Sequence, residues 1–289
     1  MTKKRTSIKF FVLALFLILV SQFACSLFED PEHVDFSTDE TVFEGQTIVE
    51  DPEHVDFTAD ETGVVLDPKF INHPQPELTV DVSVFEDAGC LREDWKLICS
   101  EDSPLADFLG CDSITVPSHL MGGLDPAYPI VKCNYESYMH YDGEGYYPVE
   151  DEGFVYSSGG LYQVYIRYVI YKDGEFVLIK TVDEMQSTFA PITSPTEALS
   201  YALASNNFFA YYDLEYDSDL RYLVNVVEDT YVEEVEDGYL VHLYYYRSYG
   251  CGPHTTSAVD VLITNQGDIG ELVFEGVFEN PEEDDVCVD

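Results

Sequence analysis

Hydrophobic positions follow three regimes along the chain. Phe10 to Val20 is an unbroken apolar run, residues 26–66 are polar and acidic, and from about residue 160 apolar and polar positions alternate at strand spacing. LYQVYIRYVIY and EFVLIK flank Lys172-Asp173-Gly174, which predicts a β-hairpin turning at Asp-Gly, with Val164, Ile166, Tyr168 and Ile170 on one face. TVDEMQSTF reads as a helical turn with Thr181 as N-cap and Glu184 closing a capping box. SPTEALSYALASNN carries the strongest helix signal. Ser194 caps it, Pro195 takes the first position, Glu197 closes the box, and Ala198, Leu199, Ala202 and Leu203 form an apolar face. Strands follow at about 222–235, 239–247, 256–264 and 270–276, with turns at Asp237-Gly238 and Asn265-Gln266-Gly267. A helix followed by an antiparallel meander is an α+β arrangement, dominated by antiparallel β-sheet with a few short helices, the main helix covering one sheet face.

Residues 67–150 have a different grammar. LTVDVSV alternates as a half-buried strand would, and SPLADFLG predicts a short helix with Ser103 as cap and Pro104 at its first position. The remainder is turn-rich, with Gly122, Gly123, Pro126 and Pro129 as punctuation, and ESYMHYDGEGYYPVEDEG reads as an acidic, tyrosine-rich connector. A region this rich in loops needs disulfides, because it buries too little apolar surface by itself. The expected organisation is therefore a signal over 1–24, a disordered acidic tether over 25–66, a Cys-rich part over 67–150 and an α+β part over 151–289.

Charge changes the picture at both ends of the first regime. Lys3, Lys4, Arg5 and Lys9 precede the apolar run, which is shorter than the roughly 20 residues a bilayer-spanning helix needs, so the start reads as an export signal. Without those four, 9 basic residues face 56 acidic ones, a balance of −47. Such a field disfavours nucleic acid and anionic headgroups as partners and suits cationic partners, divalent ions or a saline habitat. Within the tether EDPEHVDFSTDET (29–41) recurs as EDPEHVDFTADET (50–62), eleven of thirteen positions identical. Thirteen acids and no Lys or Arg between Ser26 and Leu66 predict a self-repelling spacer; the alternative is a duplicated linear motif with His33 and His54 as weak metal ligands.

Ser21-Gln22-Phe23-Ala24-Cys25 resembles the lipobox of bacterial lipoproteins, with Gln22 and Phe23 departing from the usual pattern. The resemblance implies lipidation at Cys25 and a membrane anchor in the cell envelope. The rival is ordinary cleavage after Ser26. Removing Cys25 leaves Cys90, Cys99, Cys111, Cys133, Cys251 and Cys287, an even set that reads as three disulfides with 15 pairings; no C-x-x-C pair points to zinc. We expect Cys251 with Cys287, and Cys90 with Cys133 around Cys99 with Cys111. The C-terminal order of elements loosely resembles PepSY and cystatin-like helix-then-sheet modules, which implies a peptidase-inhibiting or folding-assisting role. STFAPITSPTEALSYALA, GCGPHTTSAV and the terminal CVD resemble exported bacterial lipoproteins without an assigned activity, a likeness that implies location and no chemistry.

Four constellations remain. Cys251-Gly252-Pro253-His254 resembles a thioredoxin-like C-x-x-C loop with His in place of the second Cys, but the strand-like TTSAVDVLIT after it lacks the helix N-terminus that a reactive thiolate needs. Asp213, Glu215, Asp217 and Asp219 alternate in DLEYDSDL and could take Ca²⁺; Ser218 and Val224 break the EF-hand template, and a solvated acidic loop is the plainer reading. In HLYYYRSY, His242, Tyr244 and Tyr246 share a strand face and form the candidate ligand-binding set. His73, His119 and His140 lie in loops with no nucleophile pattern nearby, and no Walker, Rossmann, G-x-S-x-G or H-E-x-x-H motif is present. The sequence thus favours a protein- or glycan-binding module without a cofactor. A hydrolase using carboxylates and Ca²⁺ is the alternative. A flat, tyrosine-lined sheet face would support the first, and a deep pocket with a carboxylate pair or His the second.

Overall fold

The computed structural model describes residues 66–288 apart from 101–102, 104, 106–109, 139, 142–145, 148–152 and 161. The stretch read as an export signal, Cys25 and the duplicated segment lie outside the described residues, as does most of the helix expected at 103–110. In chain order the first strands are β1 (Lys69–Ile71), β2 (Cys90–Glu93), β3 (Lys96–Cys99), β4 (Ser113–Thr115), β5 (Ile130–Tyr138), β6 (His140–Tyr141), β7 (Tyr146–Tyr147), β8 (Tyr156–Ser158), β9 (Tyr162–Lys172) and β10 (Glu175–Ile179). They are followed by β11 (Arg221–Tyr222), β12 (Val226–Glu228), β13 (Tyr231–Val235), β14 (Gly238–Tyr246), β15 (Gly250–Cys251), β16 (Thr255–Thr264), β17 (Ile269–Glu279) and β18 (Cys287–Val288). The α-helices among the described residues are α1 (Ser83–Asp87), α2 (Val182–Phe189) and α3 (Pro195–Ser205).

The Asp-Gly hairpin organises the first sheet. Lys172 pairs with Glu175, and Asp173 and Gly174 both take left-handed backbone (φ 54° and 89°), as a two-residue hairpin turn of the I′ kind requires. Ile166, Tyr168 and Ile170 point together into the core. The sheet runs β10-β9-β5-β4-β3-β2, antiparallel throughout, with β8 beside β9. Because β5 pairs with β9 from Ile130–Ile170 to Tyr138–Tyr162, the expected boundary at residue 150 falls inside one sheet. The parts read as 67–150 and 151–289 share this sheet and belong to one unit.

Both expected caps are present. Thr181 accepts from the amide of Glu184, and Ser194 accepts from that of Glu197, with Pro195 in the first turn. The Glu197 carboxylate accepts from the Thr193 amide at 2.8 Å, completing the N-terminal turn. Helix α3 was expected to bury one face; instead every residue from Glu197 to Ser205 is buried. The reason is its position. A single core cluster joins Ile166, Tyr168 and Ile170 of the first sheet, α2, α3, and Val241, Leu243, Val259, Val261 and Ile263 of the second sheet. A helix buried on all sides is apolar all round or satisfies its polar groups internally. Ser200 does the latter, donating to the Leu120 carbonyl at 2.5 Å and accepting from the Gly123 amide at 3.0 Å. A Cβ at Gly123 would lie 2.7 Å from Ser200 Oγ, so this close approach requires glycine.

The second sheet has the order β11-β17-β16-β14-β13 and is the expected antiparallel meander. Its first turn sits one residue earlier than Asp237-Gly238 suggested. Val235 pairs with Gly238, so Glu236 and Asp237 form the turn and Gly238 begins β14. A Cβ there would be 2.1 Å from the Ile263 carbonyl oxygen, so glycine is kept for the ladder as well as the turn. The expected strand at 222–235 is broken into β11, β12 and β13. The break between β12 and β13 falls at Asp229, fully buried, whose carboxylate accepts from the amides of His73 (3.2 Å), Asp213 (2.9 Å) and Leu214 (3.0 Å) and from Asn72 Nδ2 (3.2 Å). That knot lays β1 parallel to β12 and brings residues 66–73 and 209–214 over the outer face of the sheet.

Two further expectations are corrected. LTVDVSV is not a strand: Asp81 Oδ1 accepts from the amide (2.9 Å) and hydroxyl (2.7 Å) of Ser83, turning the chain into α1. The alternation there reflects one-sided burial, with Val82 in the core, and no ladder. Among the cysteines, Cys90 pairs with Cys99 and Cys111 with Cys133, rather than Cys90 with Cys133 around Cys99 with Cys111. Hairpin register decides this: Cys90 stands directly opposite Cys99 across β2–β3, and Cys133 opposite Ile114 across β4–β5, close to Cys111. Cys251 pairs with Cys287 across β15–β18. Three disulfides belong to a non-reducing compartment.

Candidate functional site: the open half of an outer sheet face

The inner face of the second sheet packs on α3. Its outer face divides in two. At one end Tyr222, Tyr244, Ala258 and Val277 are buried beneath Leu66, Phe70, Phe209 and Tyr211. Cover thins one residue pair further along, at a row that crosses four strands: Tyr231, His242, Asp260 and Val273 stand directly opposite one another on β13, β14, β16 and β17, and exposure rises along it from a mostly buried His242 to Val273. Residues in such a row share a face and lie close enough to interact. The next row holds Glu233, Leu240 and Leu262. Val273 is 55% exposed, among the most exposed large apolar side chains described.

The row is held rigidly. His242 Nδ1 lies 2.7 Å from Asp260 Oδ1 and donates to that carboxylate, so Nε2 is the ring nitrogen left outside this bond. The His242 and Tyr231 rings stack at 5.0 Å with planes 15° apart. His73, delivered by the segment anchored on Asp229, places its ring 4.9 Å from Tyr231 and its Nε2 2.7 Å from Glu228 Oε1. Two imidazoles thus meet one tyrosine ring, each imidazole carrying a carboxylate. Burial, then the charges of Asp260, Glu228 and Glu233, push the Tyr231 hydroxyl above its ordinary pKa. The arrangement can present a fixed aromatic and aliphatic surface in a negative field. None of its residues is a Ser, Thr or Cys.

His242, Tyr244 and Tyr246 share the face, as their spacing requires, but have different roles. Tyr244 is fully buried and its hydroxyl donates to the Glu228 carbonyl at 2.5 Å, so it supports the site and cannot touch a ligand. Burial raises its hydroxyl pKa further than that of Tyr231. Tyr246 donates to Glu283 Oε2 at 2.6 Å; that bond, with burial, pushes its pKa up to about 12 and commits the residue to the C-terminal tail. Only His242 of the three belongs to the open row.

The acidic loop does not assemble a cation site. The Asp213 amide donates to Asp229, the Asp217 amide donates to Tyr222 Oη at 2.9 Å, and Asp217 Oδ1 accepts from the Asp219 amide at 2.9 Å. No group of three His, Cys, Asp or Glu side chains able to hold a metal occurs among the described residues. The Cys251-Gly252-Pro253-His254 loop is a fastening: Cys251 is in its disulfide, and buried His254 sets Nδ1 2.9 Å from the Arg247 carbonyl and Nε2 3.1 Å from that of Val286. A cavity of about 330 Å³ opens beside β3 and β4, lined by Lys96, Leu105, Asp112 and Ile114 among others. Its one carboxylate, Asp112, accepts from the Glu136 amide, and it has no histidine.

Sequence reading missed Tyr231, Asp260 and Glu228, and placed His73 in a loop without a role. Tyr231 was within reach, because a hairpin turn fixes its register; placing the turn at Asp237-Gly238 puts Glu233 opposite His242, two residues away from the observed partner. His73 had no local signal, since Asp229 positions it from a distance of 156 residues along the chain. No family model, curated protein or solved structure matches this chain.

Proposed function

We propose that the chain is an exported protein, lipid-anchored through Cys25, whose α+β body is a non-enzymatic binding module, and that the open half of the second sheet's outer face takes a basic segment of a protein partner. The observation that carries this reading is the Tyr231–His242–Asp260–Val273 row: a flat, ordered, partly apolar surface at the place where the sheet's own cover thins. Val273, Leu262 and Leu240 supply area to be removed from water, and Glu228, Glu233 and Asp260 supply charge for Lys or Arg. Electrostatic steering toward a cationic partner follows from the net charge. A protein fits better than a glycan, because the Tyr231 ring is already occupied by two imidazoles and is not a free plate for a sugar.

The lipid anchor is supported by the signal-like start and by the disulfides, which fit export. The hydrolase alternative has less support: the cavity lining has one carboxylate and no histidine, and the His242–Asp260 pair stands on a sheet face with no Ser, Thr or Cys in its row. The test is affinity capture from the native cell envelope with the mature chain and with Leu262→Asp. The reading expects a partner retained by the first and lost by the second, with capture weakening as salt rises. A partner captured equally by both would place the binding surface elsewhere.

A further inference from the structure

The β2–β3 hairpin, at the far edge of the first sheet, carries a second surface. Its two faces differ sharply. Leu97 and the Cys90–Cys99 disulfide turn inward to a core cluster, while Leu91 and Ile98, directly paired, turn outward and are 64% and 50% exposed. Trp95, the chain's single tryptophan, sits in the two-residue turn and is 60% exposed. Three of the four most exposed large apolar side chains among the described residues therefore lie within the eight residues Leu91–Ile98. The turn is fixed by Asp94 in left-handed backbone (φ 53°), with Arg92 Nε donating to the Asp94 carbonyl at 3.2 Å, and the disulfide closes the base.

Charge identifies what such a tip fits. Arg92 and Lys96 offset Glu93 and Asp94, so this hairpin is locally neutral on a chain of strongly negative balance. A second copy would bring an equally acidic body against it, and a basic protein would be drawn to the acidic faces instead. A zwitterionic headgroup layer matches two cations and two anions, phosphate for Arg92 and Lys96, ammonium for Glu93 and Asp94. The Lys96 ammonium stands 4.8 Å from the Trp95 ring centroid, so indole and aliphatic groups can enter the interface while the ammonium stays at phosphate level. We infer that the β2–β3 hairpin is a membrane-contact tip that seats Trp95, Leu91 and Ile98 at the headgroup–acyl boundary of a neutral lipid surface. The contact does not depend on the anchor at Cys25.

Trp95 reports on its own seat. The full chain is titrated with vesicles of phosphatidylcholine brominated on the acyl chains, and Trp95 emission is followed beside vesicle sedimentation. Seating gives a blue shift and quenching that saturate with lipid. Leu91→Asp and Ile98→Asp, each at an exposed strand position and checked for unchanged far-ultraviolet circular dichroism, retain the reporter and weaken the apparent partition by about tenfold or more. Unquenched wild-type Trp95, or quenching equal in both variants, overturns the inference. A blue shift that grows with protein concentration in the absence of lipid overturns it in favour of self-association. A variant that still sediments with vesicles while Trp95 stays unquenched separates the hairpin from the anchor, supporting both.

Discussion

Arg221 grips Asp284 through two parallel hydrogen bonds, 3.0 Å from Nη1 and 2.8 Å from Nη2, while its Nε and Nη2 hold Glu279. A guanidinium fork matched to a carboxylate in this way is directional as well as attractive. It pins the C-terminal tail to the sheet at the end opposite the open row. The Arg221 bonds lower the Asp284 pKa below its ordinary value. A carboxylate depressed in the folded state contributes stability above its unfolded pKa and loses it as pH falls through the folded one. Below about pH 4 the tail should therefore loosen. Hydrogen exchange at the Gly252 amide, which donates to the Val286 carbonyl, reads this directly. Arg221→Met should lower its protection already at neutral pH; unchanged protection would show that the fork does not hold the tail.

The disulfide between Cys251 and Cys287 ties the same segment across 36 residues. Cross-linking a loop of this length restricts the unfolded chain, so Cys251→Ser with Cys287→Ser should cost about 2 to 4 kcal/mol in denaturant unfolding. The folded strands β14 and β16 should keep their exchange protection. If stability is unchanged, the short β15–β18 pair and Arg221 suffice without the covalent bond.

Asp229 is the residue on which the candidate site depends most indirectly. Four donors converge on a carboxylate with no exposure to solvent, and they fix both the 72–73 segment and the 213–214 loop. Asp229→Ala leaves those donors unmet and should destabilise the fold by about 3 kcal/mol or more. Asp229→Asn keeps the shape but cannot serve every donor, so it should fall between the two. An Ala variant as stable as the parent would mean that the knot forms without its centre.

Legibility in the sequence followed the range of each interaction. The I′ hairpin at Asp173-Gly174 and the caps at Thr181 and Ser194 rest on neighbours a few residues apart and are where their local pattern put them; the meander is present too, with its first turn one residue earlier and its first strand broken. The failures were of longer range. Alternation in LTVDVSV signalled burial but could not show that Asp81 would turn the chain. The amphipathic pattern of α3 could not reveal a second sheet on its other side. Likewise His242 was identifiable on its strand, whereas Tyr244 beside it looked equivalent until the cover from Phe209 and Tyr211 was placed. A strand face shows which residues point together; only the tertiary structure shows where that face is open.

The most direct test of the binding surface replaces Val273 with a photo-crosslinking amino acid in the native host. Val273 ends the row on β17, paired with Asp260, and is among the most exposed large apolar side chains described. Val177, also exposed but on the first sheet, serves as the comparison position. Irradiation should give a discrete protein adduct from position 273 and none from 177, and Asp260→Asn should weaken the adduct. Adducts of equal yield from both positions, or none from 273, would contradict a binding role for the Tyr231–His242–Asp260–Val273 row.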